Sequence, residues 1–127
     1  MKYIKDHGIT TEGTYPYVAK TQSCQKKDGE FTISSFTQLD GCTGLQDGIT
    51  KQPVAITVDA LNWNDYKSGV FSNCGQRLNH AALLVGVING VWKIKNEWGI
   101  SWGENGFIRL ASGNTCGICL HPGVIPN

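Results

Sequence analysis

Residues 78–96 read LNHAALLVGVINGVWKIKN and contain two β-strand patterns around one tight turn. The run Ala81–Ile88 is apolar and rich in β-forming residues, and Asn89-Gly90 is a strong two-residue hairpin turn. In residues 91–96 apolar and polar side chains alternate, which turns Asn96 toward the apolar face. The segment therefore predicts an antiparallel hairpin with one buried face.

Further strand patterns flank this hairpin. Val54–Val58 is a β-rich run, and Phe107–Leu110 follows a glycine-rich loop over residues 99–106. Alternation from Phe31 to Leu39, with a phase slip at Ser35-Phe36, predicts another strand that contains a bulge. The strands together indicate a protein whose core is mostly sheet.

Two short helices are expected beside the strands. Tyr3–Gly8 has the pattern of a helix tail that a glycine closes, and it starts so near Met1 that we expect a truncated N-terminal helix. Thr43-Gly44-Leu45-Gln46 has the pattern of a capping box that opens a second helix, which Pro53 must end. The fold class predicted is mainly β, α+β overall: a small barrel or sandwich with one or two short helices.

The composition excludes several classes of function. A chain of 127 residues is long enough for one core, and it carries 11 basic and 10 acidic side chains. Its only adjacent basic pair is Lys26-Lys27, which argues against a nucleic-acid partner. The longest apolar stretch, Ala81–Ile88, is far shorter than the ~20 residues that cross a bilayer. No signal-peptide segment follows Met1. From the charge and the apolar length we expect neither a nucleic-acid nor a membrane partner.

The five cysteines leave at least one without a partner in the chain. They stand at Cys24, Cys42, Cys74, Cys116 and Cys119. Disulfides would indicate an oxidising compartment and free thiols the cytosol, and composition alone leaves both open. Residues 116–119 have Cys-x-x-Cys spacing but lack the βαβ context of a redox pair and a second pair for zinc. We therefore expect structural disulfides and no metal site.

His80 is the candidate for chemistry. A histidine at a strand start is more often a structural, hydrogen-bonded residue. However, the next hairpin strand brings Asn96 to the same interior face, and adjacent antiparallel strands place such residues within about 5 Å. An amide that holds one ring nitrogen leaves the other to face a nucleophile, and Trp98 could shield the pair. The hairpin thus predicts an oriented histidine.

Five motifs, in order and over nearly the whole chain, resemble those of the papain-like cysteine peptidases. They are Thr14-Tyr15-Pro16-Tyr17, Leu78-Asn79-His80-Ala81, Lys95–Gly99, Ser101–Arg109 and Cys116-Gly117-Ile118. The resemblance implies that His80 is the general base, Asn96 its orienting partner, and Trp98 the indole that covers their hydrogen bond. It also implies a division into residues 1–24, a remnant and crossover from the helical (left) domain, and 25–127, the β-rich, barrel-like right domain that carries the catalytic His and Asn.

The same resemblance assigns a substrate pocket. It implies that Thr57, Leu78, Asn79 and Ala81 line the pocket for the substrate side chain second from the scissile bond, on its amino side. The floor comes from Leu120-His121-Pro122. The pocket is polar and pH-dependent if His121 forms the floor, and apolar if Leu120 does.

The resemblance also bears on the cysteines and on Glu97. It implies a Cys74–Cys116 disulfide and a Cys24 whose partner lies outside the chain. The remaining two, Cys42 and Cys119, could bond each other, and the resemblance leaves their pairing open. Glu97 stands where the family usually has serine. A carboxylate there favours a protonated imidazole if it lies close enough, and otherwise it is a solvated surface acid.

The nucleophile is the main departure from the family. Family members carry the nucleophilic cysteine about 130 residues before the histidine, so we expect it outside this chain, together with the oxyanion-hole glutamine. Losing one oxyanion donor alone costs about 10²–10³ in rate. The function expected is therefore the C-terminal half of a papain-like cysteine endopeptidase, which hydrolyses peptide bonds by Cys/His/Asn chemistry but is inactive alone.

Several expectations about partners follow from this function. The partner is the N-terminal helical half or a separate chain that carries the nucleophilic cysteine, and the substrate is a peptide or protein. The resemblance implies no cofactor and a lysosomal, vacuolar or secreted location. The alternative is a non-catalytic papain-like remnant that acts as a binding or assembly module.

Overall fold

The computed structural model describes residues 1–25 and 28–125. The basic pair Lys26-Lys27, on which one prediction depended, lies outside the described residues, as do Pro126 and Asn127. The chain divides into two compact units. The first unit is Met1–Phe36 with Ile125–Asn127, and the second unit is Thr37–Val124.

The first unit contains one helix among its described residues. Helix α1 spans Lys2–His7 and ends at Gly8, whose φ of 74° lies in the left-handed region. An isolated antiparallel bridge joins Ile9 to Phe31. A Cβ on Gly8 would lie 2.8 Å from the Gly29 carbonyl oxygen, so this close backbone approach requires glycine. The predicted helix tail is confirmed.

The predicted strand over Phe31–Leu39 is wrong for most of its length. Strand β1 is limited to Thr37–Gln38. The side chains of Phe31 and Phe36 are 59% and 39% exposed, so the alternating pattern does not face a core. A period-two pattern forms a strand only where a neighbouring strand and a buried face are available.

The second unit is built on one mixed sheet. Its further strands are β2 (Val54–Val58), β3 (Val70–Phe71), β4 (His80–Ile88), β5 (Val91–Lys95), β6 (Phe107–Leu110) and β7 (Gly123–Val124). Among the described residues the strand order is β1-β7-β2-β4-β5-β6-β3. The β3–β6 pair is parallel and the other pairs are antiparallel. The mainly β class is confirmed, and the sheet is open because β1 and β3 are its edges.

The predicted hairpin is confirmed. Strands β4 and β5 pair antiparallel with Leu84 opposite Ile94, and a register shift follows between Leu84 and Gly86. Asn89 and Gly90 join the strands with φ values of 51° and 78°. Two successive residues at positive φ are what a type I′ turn requires, and asparagine followed by glycine accommodates them best.

The second helix begins earlier than the sequence predicted. Helix α2 spans Gly41–Ile49 with Asp40 at its N-cap. The Gly44 N–H donates to the Asp40 carbonyl over 2.9 Å, so the first turn closes ahead of Thr43. The predicted capping box at Thr43 is therefore wrong, because that residue already lies inside the helix. Leu45, which is fully buried, anchors α2 to the core.

The core of the second unit is formed by side chains from α2, the central strands and the loops between them. Its members with 0% exposure are Leu45, Val54, Val58, Trp63, Leu84, Ile94, Ile108, Leu110 and Ile118. Two polar or charged residues are also buried in the described part of the chain, Asp59 and Asn96. A search of the described residues finds no helix with the length and apolar character needed to cross a membrane.

Candidate active site

The hairpin brings His80 and Asn96 together. His80 is the first residue of β4, and Asn96 directly follows β5. Because Leu83 pairs with Lys95, Asn96 falls opposite Ala82 and diagonal to His80 on the same face. The His80 Nε2 lies 2.8 Å from the Asn96 Oδ1. The amide oxygen is an acceptor, so Nε2 carries the hydrogen and the Nδ1 of a neutral ring keeps its lone pair.

Tryptophan rings enclose this imidazole. The centroid of the His80 ring lies 5.2 Å from that of Trp98 and 5.8 Å from that of Trp63. Trp98 in turn meets Trp102 edge-on at 5.0 Å. The His80 side chain is only 15% exposed. A hydrogen bond in such a water-poor setting is electrostatically stronger than the same bond in water, so the ring is held firmly.

Glu97 brings a negative charge to the same ring nitrogen. Its Oε1 lies 3.4 Å from the His80 Nε2, farther than the Asn96 oxygen, and its side chain is 62% exposed. Water screens a carboxylate that is this exposed. Glu97 is thus near the imidazole but largely solvated, and Asn96 is the nearer acceptor.

The cysteines of the second unit are all disulfide-bonded. Cys42 joins Cys119, and Cys74 joins Cys116, each with an S–S distance of 2.00 Å. Cys24, in the first unit, is an exposed free thiol. The unit that contains His80 therefore presents no free thiol of its own. Among the described residues, no group of three or more His, Cys, Asp and Glu side chains could hold a metal ion.

Two of the residues assigned to the substrate pocket, Thr57 and Ala81, lie in the sheet, and Leu78 and Asn79 lie in the loop that leads into β4. Thr57 pairs directly with Ala81 across β2 and β4. The Thr57 Oγ1 is buried and has no hydrogen-bond partner within the described ranges. A shallow groove beside the histidine is lined by Ala81, Ala82, Leu83, Lys95, Asn96 and Glu97. Thr57 and Ala81 thus form adjacent positions on two neighbouring strands.

The segment 120–122 sends its side chains to two different places. A Cβ on Gly117 would lie 2.9 Å from the Leu78 Cδ2 and 3.1 Å from the Leu120 Cδ1, so both leucines border this glycine. The His121 Nδ1 lies 3.2 Å from the Gln38 Nε2 on the edge strand β1. Leu120 and Leu78 therefore both lie next to Gly117, whereas the His121 ring is hydrogen-bonded to Gln38.

Asn79 makes contacts that the sequence did not predict. Its Nδ2 donates to the Asp59 Oδ1 over 3.3 Å, and its Oδ1 accepts the Ala60 N–H over 2.9 Å. The buried Asp59 was not singled out from the sequence. The one available signal was an acidic residue directly after the apolar strand Val54–Val58, a position that a solvated turn residue also occupies.

The fold corresponds to that of solved cysteine proteases. Residues 1–123 match the family described as Papain family cysteine protease. The chain belongs to this family.

Individual relatives agree with the family match. Cathepsin L 2 of Paramecium tetraurelia is 46% identical over 125 residues, which cover 96% of this chain and 40% of that protein. Fruit bromelain of Ananas comosus is 35% identical over an alignment of 135 residues, which covers 94% of this chain and 38% of that protein. The crystal structure of a Carica candamarcensis cysteine protease with E-64 superimposes with a TM-score of 0.82 at 31% identity, over 96% of this chain and 63% of that one. The chain spans about two fifths of the length of the cathepsin L relatives that it matches.

Proposed function

We propose that this chain supplies the general base and its orienting amide to a papain-type peptidase site, and that the nucleophilic cysteine reaches the site from outside residues 1–127. The observation that carries this proposal is the 2.8 Å bond from His80 Nε2 to Asn96 Oδ1. It fixes the tautomer in which Nδ1 can accept a proton, which is what a base beside a thiol must do.

The chemistry follows from this tautomer. The Nδ1 of His80 takes the proton of an incoming cysteine thiol, and the resulting thiolate attacks the carbonyl carbon of the scissile bond. The imidazolium then gives that proton to the leaving amine, and an acyl-enzyme remains. A water molecule, deprotonated by the same Nδ1, releases the acyl group and regenerates the thiol. Asn96 keeps the ring in place throughout, and Trp98 keeps water from their hydrogen bond.

The disulfides support a nucleophile from elsewhere. Both Cys42–Cys119 and Cys74–Cys116 use up the thiols of the unit that contains His80. The partner proposed is a helical half that carries the cysteine and the oxyanion donor, on the same polypeptide or as a separate chain. Two disulfides also favour an oxidising compartment, which fits a lysosomal, vacuolar or secreted site of action.

The pocket proposed is apolar. Leu78 and Leu120 border the same glycine, Gly117, whereas the ring of His121 is bonded to Gln38. A floor made by Leu120 favours a peptide substrate with an apolar side chain at the second position before the scissile bond, because a polar side chain would find no hydrogen-bond partner against the leucines.

Reconstitution tests the proposal. The 127-residue chain is combined with the cysteine-bearing N-terminal part of a cathepsin L relative, and cleavage of a fluorogenic peptide is measured. We expect activity from the pair and none from either part. His80→Ala should abolish it, since a general base contributes about 10²–10⁴ in rate. His7→Ala is the matched control, because His7 is an exposed histidine of α1 to which no role in the site is assigned.

Three results would contradict the proposal. These are full activity of the His80→Ala pair, activity of the 127-residue chain alone, or a stable complex of the two parts that shows no cleavage. The last result would favour the alternative of a binding or assembly module. Circular dichroism of each variant establishes that any loss of activity occurs in folded protein.

A further inference from the structure

The second unit buries a carboxylate that the chemistry above does not use. Asp59 is 5% exposed, and it is the only charged residue that the described part of the chain buries. A buried charge is costly unless hydrogen bonds satisfy it, so its partners indicate what it does. We propose that Asp59 is a positioning residue, which fixes the loop of residues 75–79 and thereby the place of His80. This inference deepens the proposed function and rests on it.

The carboxylate gathers donors from two separate segments. Its Oδ1 accepts the Leu61 N–H over 3.2 Å and the Asn79 Nδ2 over 3.3 Å. Its Oδ2 accepts the Arg77 N–H over 3.2 Å. Leu61 belongs to the turn after β2, whereas Arg77 and Asn79 belong to the loop that leads into β4. Asp59 thus ties the loop before the histidine to the end of a core strand.

Asn79 completes the connection from the loop side. Its Oδ1 accepts the Ala60 N–H, and its own N–H donates to the Val58 carbonyl over 3.0 Å. The next residue, His80, pairs with the same Val58 in the sheet. The backbone that carries the imidazole is therefore attached to the segment 58–60 at consecutive residues.

The opposite end of the loop is attached as well. Cys74 is bonded to Cys116, whose carbonyl accepts the Asp59 N–H over 2.8 Å. A Cβ on Gly75 would lie 2.8 Å from the Asp59 Oδ2, so the loop reaches the carboxylate only because this residue is glycine. Contacts at residues 74, 75, 77 and 79 leave little freedom to the segment that ends at His80.

The charge state of the carboxylate suits this role. The Leu61 N–H, followed by the N–H groups of Arg77, Asn79 and Gly75, lowers the pKa of Asp59 against the opposing effect of burial. All of these partners are N–H groups rather than cations. Because its pKa is lowered, Asp59 remains ionised at the mildly acidic pH of lysosomes and vacuoles, and its hydrogen bonds to the loop remain.

The test uses the reconstituted pair with Asp59→Asn. An amide nitrogen in place of one carboxylate oxygen faces a backbone donor, so the loop must shift. A displacement near 1 Å can cost up to about 10²-fold in rate, and we expect kcat per active site to fall at least about tenfold. Active sites are counted by titration with an irreversible thiol-directed inhibitor.

A second readout does not depend on catalysis. In the 127-residue chain, the ring N–H of His80 that donates to Asn96 is expected to give a slowly exchanging NMR resonance. Asp59→Asn should shift this resonance and speed its exchange with water. Gly75→Ala, which pushes on the same carboxylate from the loop, should act in the same direction. Gly86→Ala is the matched control, because a Cβ there meets nothing within 4 Å.

The outcomes separate the two proposals. If Asp59→Asn lowers the melting temperature but keeps the wild-type kcat per active site and an unchanged His80 resonance, the residue is merely structural and this inference is overturned. If the wild-type pair is inactive, the proposed function fails. The NMR comparison of wild type, Asp59→Asn and Gly75→Ala then still decides whether Asp59 places His80.

Discussion

Replacing Glu104 by glutamine is expected to lower the free energy of unfolding at neutral pH and to have almost no effect near pH 2. The carboxylate accepts two hydrogen bonds from Arg109, of 2.8 and 2.7 Å, and one from the Gly69 N–H of 2.9 Å. Hydrogen bonding from Arg109, above all other causes, lowers the pKa of Glu104 from 4.5 to about 2. Since the folded pKa lies below the unfolded one, the stabilisation is complete above about pH 4.5 and is lost as the pH falls toward 2.

The magnitude follows from the same two values. Lowering a pKa from 4.5 to about 2 corresponds to about 3 kcal/mol, at roughly 1.4 kcal/mol for each pH unit. The side chains of Arg109 and Glu104 are 42% and 24% exposed, so water screens the pair. We therefore expect about half of this value, on the order of 1 to 2 kcal/mol, to be lost in Glu104→Gln at neutral pH.

Urea unfolding followed by tryptophan fluorescence measures the effect, because Trp63 and Trp102 are buried in the core of the same unit. The midpoints of wild type and Glu104→Gln should differ at neutral pH and converge in acid. Asp47→Asn, a change to an exposed carboxylate in α2, is the control and should leave both midpoints unchanged. A Glu104→Gln deficit that is equally large at both pH values would refute the reasoning.

Three further predictions concern the pocket, one disulfide and the aromatic cover. Leu120→Ala should lower kcat/KM of the reconstituted pair for an apolar substrate about tenfold in steady-state kinetics, and His121→Ala less than about twofold; the reverse order would assign the floor to His121. Replacing Cys74 and Cys116 by serine should cost about 4 kcal/mol in urea unfolding, given the 42-residue separation, and a loss below about 1 kcal/mol would contradict this. Trp98→Ala should speed exchange of the imidazole N–H in NMR and lower kcat; unchanged exchange would disprove the covering role.

The parts of the fold that the sequence predicted are those with long, local patterns. The strands β2 and β6 and the β4–β5 hairpin have apolar runs or alternation next to clear turn signals, so neighbours in sequence determine them. Strands β3 and β7 have two residues each, too few for any periodicity. The prediction for Phe31–Leu39 was wrong because alternation reports only the β-propensity of the side chains. It does not show that a pairing strand is present.

The residues of the candidate site also differ in how far the sequence predicted them. His80 and Asn96 were predictable as a pair because the Asn89-Gly90 turn sets the register of one hairpin, and register determines which residues are diagonal neighbours. Asp59 was not predictable, because its partners in the loop before β4 are 18 and 20 residues away and are bound largely through backbone N–H groups. Backbone donors are present at every position, so no residue pattern indicates which of them a buried carboxylate will reach.

The hairpin also determines the order in which a working site can assemble. His80 and Asn96 are 16 residues apart, and closing so short a loop costs little entropy and is fast. The two groups can therefore align during synthesis of the chain, before any docking event. In the function proposed above, a thiol-bearing segment would dock against His80 and Asn96 as one rigid pair, so one relative placement would have to be fixed. The placement of the imidazole is therefore a property of the second unit, set by the hairpin and by the contacts around Asp59.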